Sequence, residues 1–124
     1  MDYEIPLYSR SVATEDGTIY LIGGYVKRQN LYLKTCYRYD ELFGTLNAMQ
    51  SMKHPHADHS LCAIEGFIYV VGTFVNNQVY PYCERYDTQK NKWKEIAPLK
   101  VARSGVALCS HKNQYLFAFG GRID

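Results

Sequence analysis

Apolar residues in this chain come in short runs, broken by glycine, asparagine and charged residues, and no segment shows an apolar period of 3.6. Such a pattern predicts strands and tight turns rather than helices. The runs recur. "GTIYLIGG" (Gly17–Gly24) returns as "GFIYVVGT" (Gly66–Thr73) and again as "QYLFAFGG" (Gln114–Gly121). The first glycine of each closing pair stands at Gly23, Gly72 and Gly120, steps of 49 and 48 residues. "CYRYD" (Cys36–Asp40) returns as "CERYD" (Cys83–Asp87), and "SLCA" (Ser60–Ala63) as "ALCS" (Ala107–Ser110), each at a step of 47. Three phrases in one order at one period mark a repeat.

Each unit offers four short strands. Strand A is expected at Arg10–Thr14, Ser60–Ile64 and Gly105–Cys109, and strand B at Thr18–Ile22, Phe67–Val71 and Tyr115–Phe119. Strand C is expected at Lys34–Tyr39 and Tyr80–Tyr86, and strand D at Thr45–Met49 and Lys92–Ile96. "EDG" (Glu15–Gly17) and "IEG" (Ile64–Gly66) read as A–B hairpin turns, and "DTQKNK" (Asp87–Lys92) as the polar C–D turn. The A strands hold small residues such as Ser11, Ala13, Cys62, Ala63 and Ala107, which suits strands crowded about an axis.

An apolar strand ends in Gly-Gly; Tyr-Asp follows; Trp93 comes six residues after Asp87; "IAPLKVARS" (Ile96–Ser104) closes the phrase with Pro-Leu and an arginine. This order resembles the kelch motif. The resemblance covers nearly the whole chain and implies an all-β fold: kelch-type β-propeller blades of four antiparallel strands, in units of roughly 10–52, 59–99 and 103–124, the last incomplete. The first unit departs from the pattern, with Leu46 in the place of Trp93 and His56 in the place of Arg103, while Thr73 replaces the second glycine of the next. The motif assigns structural work to Gly23, Gly24, Gly72, Gly120, Gly121 and Trp93. Tyr39 and Tyr86 recur with the repeat and are expected to pack between blades, with Asp40 and Asp87 opening the C–D turns. A closed propeller needs about four to eight blades, and this chain supplies about two and a half. Its opening "EIPL" (Glu4–Leu7) reads as the tail of a D strand. It is therefore expected to be one arc of a longer propeller, or one segment of a ring made from several copies.

Composition narrows the function classes. At 124 residues and 47% hydrophobic content the chain has room for one domain with a core. Its twelve tyrosines favour strands. A net charge of +2 gives no bulk electrostatic reason to expect nucleic acid. No apolar run approaches 18 residues, so no membrane span is expected. The first ten residues lack the features of a secretion signal. Cys36 and Cys83 are one repeat position and Cys62 and Cys109 another, so they are expected to stand too far apart to pair and to serve as small buried hydrophobes. An intracellular, cytoplasmic protein is the expectation.

"KHPHADHS" (Lys53–Ser60) needs separate treatment. Its H-x-H-x-D-H resembles the zinc-binding signature of metallo-β-lactamase-fold hydrolases. Those enzymes need a further His and Asp on another fold, and only His111 remains here. In the repeat frame the stretch aligns with "VARSGVA" (Val101–Ala107), the D-to-A crossover between blades. His54, His56 and His59 are therefore expected to be partly exposed loop residues, with no metal and no cofactor.

In an up-and-down blade the B–C and D–A loops emerge on one face. That face collects Lys27, Arg28, Lys53, His54, His56, Lys100 and Arg103, with aromatics at Tyr25, Tyr32, Phe74 and Tyr80. The opposite face collects Glu15, Asp16, Glu41 and Glu65, diluted by Lys90, Lys92 and Lys112. Aromatics beside arginine are common makings of a binding hot spot. Kelch propellers commonly hold a protein or peptide on the first face, and their arginines often read acidic motifs. The resemblance thus implies a protein-interaction scaffold, not an enzyme, with Tyr25, Lys27, Arg28, Tyr32, His54, His56 and Arg103 as candidates for the partner site. Arg103 has a second possible use, hydrogen bonding from blade to blade. The alternatives are a structural subunit of a cytoskeletal or ciliary assembly, and a kelch-like enzyme such as a copper-radical oxidase or a sugar-processing enzyme.

Overall fold

The computed structural model describes residues 6–111, 115–121 and 123, with side chains for all of these except 107, 109–111 and 115–119. Glu4, Ile5, Lys112 and Gln114, which figure in the expectations above, lie outside the described residues, as does the last position of the third unit, Asp124.

Two four-stranded antiparallel sheets follow one another along the chain. Blade 1 contains β1 (Arg10–Ala13), β2 (Ile19–Ile22), β5 (Cys36–Asp40) and β6 (Thr45–Ala48), side by side in that order. Between β2 and β5 a small hairpin, β3 (Tyr25–Val26) and β4 (Leu31–Tyr32), is closed by a single 3-10 turn at Lys27–Gln29. Blade 2 contains β7 (Ser60–Ile64), β8 (Phe67–Val75), β9 (Gln78–Asp87) and β10 (Lys92–Ile96). A last hairpin, β11 (Ala107–His111) with β12 (Tyr115–Phe119), follows.

Several bounds differ from the expected ones. Strands β8 and β9 run further than anticipated because Asn76 and Asn77 both adopt positive φ, 53° and 62°, and make a two-residue turn that continues the ladder. A register shift between Val71 and Thr73 absorbs Gly72. Strand β11 begins two residues later than Gly105, whose φ of +61° is foreign to a strand.

The core lies between sheets. One side of blade 2 turns Ile68, Val70, Tyr86 and Trp93 onto Tyr20, Ile22, Cys36 and Met52 of the preceding unit. The Tyr86 ring meets Tyr20 edge-on at 5.8 Å and Trp93 at 4.9 Å. Its other side turns Val71 and Cys83 onto Val106, with Ile96, Leu99 and Leu108 packed around them. Strand alternation thus feeds two cores at once. Each such buried side chain stabilises the fold by roughly 1.5–3 kcal/mol relative to exposure. Polar contacts add a seam at the outer edge: Trp93 Nε1 donates to the Gln50 carbonyl (2.7 Å), and the Gln50 N–H donates to Asn91 Oδ1 (2.9 Å).

Asp40 and Asp87 open the C–D turns as expected, accepting from Leu42 and Phe43 N–H and from Gln89 and Lys90 N–H. Tyr86 is fully buried between blades, whereas Tyr39 is 39% exposed, because its side of blade 1 faces away from blade 2. Cys36 and Cys83 are free, buried thiols; burial pushes Cys36 up to about 12 and also raises Cys83, so both stay neutral.

Candidate partner-binding face

The crossover after β6 passes directly over the end of β2. The Gly24 N–H donates to the His56 carbonyl (2.8 Å), and one unit later the Thr73 N–H donates to the Arg103 carbonyl (3.2 Å). Gly23 and Gly72 have φ of +67° and +73°, and a Cβ on either would fall onto the crossover carbonyl of His56 or Arg103. Glycine is required here both for backbone conformation and for closeness of approach. Thr73, in the place of Gly24, is buried and engages the crossover through Oγ1, which accepts the Ala57 N–H at 3.0 Å.

Of the three histidines expected to be partly exposed loop residues, His54 is so, but His56 and His59 are 0% and 1% exposed. The His56 ring sits between two acceptors, the Gly72 carbonyl at 3.0 Å from Nδ1 and the Glu84 carboxylate at 2.8 Å from Nε2. A carbonyl can only accept, so Nδ1 donates to Gly72, and Nε2 faces the Glu84 carboxylate. Glu84 also accepts the Lys53 N–H (2.7 Å) and the His54 N–H (3.1 Å). Burial alone would raise its carboxyl, but the His56 ring and the two backbone donors outweigh it and hold the group below its ordinary value. His59 donates from Nε2 to the Ile22 carbonyl (2.9 Å), and its Nδ1 has no partner among the described residues. Burial, with the His56 ring 5.8 Å away, keeps its pKa well below the usual histidine value. The imidazole is therefore neutral. No group of three or more His, Cys, Asp or Glu side chains among the described residues is placed to hold a metal ion. The histidine-rich stretch is a polar knot between blades.

The B–C connections stand on the same side as these crossovers, as the Phe74 N–H bond to the Ala57 carbonyl (2.9 Å) shows. A groove of about 290 Å³ opens there between the blades, lined by Tyr8, Tyr25, Tyr32, Asp58, Phe74 and Asn77. Tyr25 and Tyr32 face each other across the small hairpin with ring centroids 4.6 Å apart. The Tyr25 hydroxyl is tied to Asn30 (2.9 Å), whose φ of +49° closes the 3-10 turn. Lys27 and Arg28 project from that turn, exposed. Asp58, on the crossover, pairs through Oδ1 with Arg10 at 3.0 Å, both side chains being partly exposed.

Of the residues singled out from the sequence, the structure gathers Tyr25, Lys27, Arg28 and Tyr32 on one hairpin, the two tyrosines in the groove wall. His54 does not line the groove: it stacks on Tyr82 at 4.1 Å and pairs with Glu95 at 3.2 Å. His56 is withdrawn into the interior. Arg103 donates to the Gly120 carbonyl (2.9 Å), a bond within the third unit. Tyr8, Asp58 and Asn77 were missed as groove residues; the Asn76-Asn77 turn was the available signal for the last.

A second, larger hollow of about 420 Å³ lies on the opposite face, among Asp16, Ile19, Arg38, Asp40 and Glu41. Two of its three carboxylates are already used by turns: Asp16 takes the Thr14 hydroxyl and the Thr18 N–H, which lower its pKa, and Asp40 takes the bonds given above.

Successive four-stranded antiparallel blades, packed face to face and linked by crossovers on one side, define a β-propeller architecture. The solved structure of YjhT superposes on 89% of this chain with a TM-score of 0.71 at 18% identity, the chain covering 33% of it. The chain belongs to the kelch-repeat family: the family model for the Kelch motif matches residues 6–52 and 55–100. Among curated relatives, Kelch-like protein 13 from Homo sapiens is 28% identical over 134 residues, covering 98% of this chain and 20% of the relative. Kelch-like protein 40 from Xenopus tropicalis is 31% identical over 108 residues, covering 85% and 17%. The chain thus spans about one fifth of the length of the curated relatives it matches. No helix among the described residues is long and apolar enough to cross a membrane.

Proposed function

We propose that this chain serves a kelch-repeat interaction scaffold and holds a protein or peptide partner on the face of the B–C and D–A loops, and that it is not an enzyme. The groove between blades 1 and 2 carries this reading. It is concave and walled by aromatic rings, and the hairpin that supplies Tyr25 and Tyr32 carries exposed Lys27 and Arg28 on its turn. Aromatic walls supply apolar area at low entropy cost, and the two cations suit acidic residues beside the segment that enters the groove. The units of roughly 10–52 and 59–99 then act as a frame that fixes the two walls. Free buried thiols at Cys36 and Cys83 suit a reducing compartment and support an intracellular reading.

A displayed peptide library panned on the chain tests this. Selected peptides are expected to carry Asp or Glu next to an apolar segment. Arg28→Glu should weaken the best of them by about two- to fivefold, the scale of one exposed charge contact, and added salt should weaken it further. Binding that is indifferent to both would overturn the proposal.

A further inference from the structure

Four aromatic rings and one carboxylate meet at the groove. Tyr8 precedes β1, Tyr25 and Tyr32 come from the β3–β4 hairpin, Phe74 from β8 of blade 2, and Asp58 from the crossover between the blades. The faces of aromatic rings are the negative side of their quadrupole, and a carboxylate adds a full charge. We infer that this groove takes an alkylated ammonium group, the methylated lysine side chain of a partner peptide. The inference rests on the reading of this face as the partner site.

Electrostatics select the charge. An anion entering the groove would meet Asp58 among the aromatic rings. A neutral apolar side chain would cover Asp58 and give its carboxylate no compensation beyond Arg10, which holds only Oδ1. Asp58 Oδ2 makes no hydrogen bond among the described residues. Chemistry then selects the head group. An unmodified lysine ammonium is strongly hydrated and needs up to three acceptors. The groove's acceptors are Asp58, the Asn77 amide and the tyrosine hydroxyls, of which that of Tyr25 is already tied to Asn30, and a fully methylated ammonium needs none of them. Methylation keeps the charge and removes the demand for acceptors, so the ring faces can replace water. Size agrees: about 290 Å³ lies at the foot of the ~300–1,000 Å³ range of small-molecule sites and suits a side chain more than a whole ligand. Lys27 and Arg28 do not oppose this, because they are exposed at the hairpin tip and screened by salt. They are placed to meet acidic residues flanking the methylated one.

The test is a titration of the isotope-labelled chain, followed by NMR, with three probes: a peptide carrying trimethyllysine between acidic residues, the same peptide with carbon replacing the quaternary nitrogen, and free choline. The trimethyllysine peptide is expected to shift the signals of Tyr25, Tyr32 and Phe74. It should bind about tenfold more tightly than its neutral isostere, the scale of a desolvated cation–π contact. Asp58→Asn and Phe74→Leu should each reduce that preference, with thermal unfolding followed in parallel. The wild-type comparison of the two peptides stands whatever the variants do. Equal binding of the isostere, or shifts confined to another surface, would overturn the inference. Choline binding as tightly as the peptide would overturn the assignment to a side chain and point to a free small molecule. Should the cage fail while Arg28→Glu still weakens library peptides, the partner face survives without it; should both fail, the partner-face reading falls too.

Discussion

Glu84 receives three hydrogen bonds from a segment 28 to 31 residues earlier in the chain, two from backbone and one from His56. Removing one member of a fully buried pair leaves the other uncompensated, which costs about 3–5 kcal/mol. Glu84→Ala is expected to fall in that range in denaturant unfolding. A His56→Ala/Glu84→Ala double variant should lose markedly less than the sum of the two single changes. The pH dependence has a definite sign. His59 binds a proton more readily unfolded than folded, so its contribution is intact above about 6.5 and is lost as pH falls below it. Glu84, held below its ordinary 4.5, adds a second loss at lower pH as protonation reaches its folded value. Melting temperature should therefore drop from pH 7 to 5 and more steeply below, and His59→Gln should flatten the first part. A constant melting temperature between pH 7 and 5 would contradict the burial of a neutral His59. None of this was legible in "KHPHADHS". Pro55 and three histidines read as a surface loop, and the carboxylate that draws His56 inward is supplied by a distant strand.

At the scale of elements, strand identity was readable because glycine, asparagine and aspartate mark the turns that sterics require. Gly72 illustrates how far that reading goes. Its positive φ and the crossover carbonyl above it leave no room for a methyl group, so Gly72→Ala should cost at least about 1–3 kcal/mol in unfolding free energy. Gly17, also at positive φ but with nothing near its missing Cβ, should tolerate alanine better than Gly72. The β3–β4 hairpin escaped the sequence reading. It is two residues on each side, and its pairing rests on Tyr25 against Tyr32, a cross-strand contact that no periodicity can reveal in so short a run. That hairpin forms much of the groove, which is why the candidate tyrosines were visible while their arrangement was not.

At the scale of the whole molecule, equivalent residues have unequal surroundings. Ile68 and Tyr86 are fully buried, whereas Ile19 and Tyr39, their counterparts in blade 1, are 40% and 39% exposed. Tyr86→Ala is expected to destabilise the chain by about 3–5 kcal/mol, the cost of emptying an aromatic site, and Tyr39→Ala by much less. Equal losses in the two variants would mean that the blade 1 face is covered in solution. The repeat frame made the family and the blade order plain. It placed Arg103, His54 and His56 on the binding face by register alone, and register says nothing about which side chain a neighbouring blade claims.

The two crossovers are keyed by different residues, His56 in one and Arg103 in the other, and blade 2 offers Glu84 where blade 1 has Tyr37. That asymmetry constrains how such a gene can grow. A tandem copy of the second unit would bring an arginine crossover against a glutamate, a pairing that can be satisfied. A tandem copy of the first would bury an imidazole against a tyrosine in place of the carboxylate. Duplication of the second unit should therefore be tolerated without further change, while duplication of the first would await a compensating mutation.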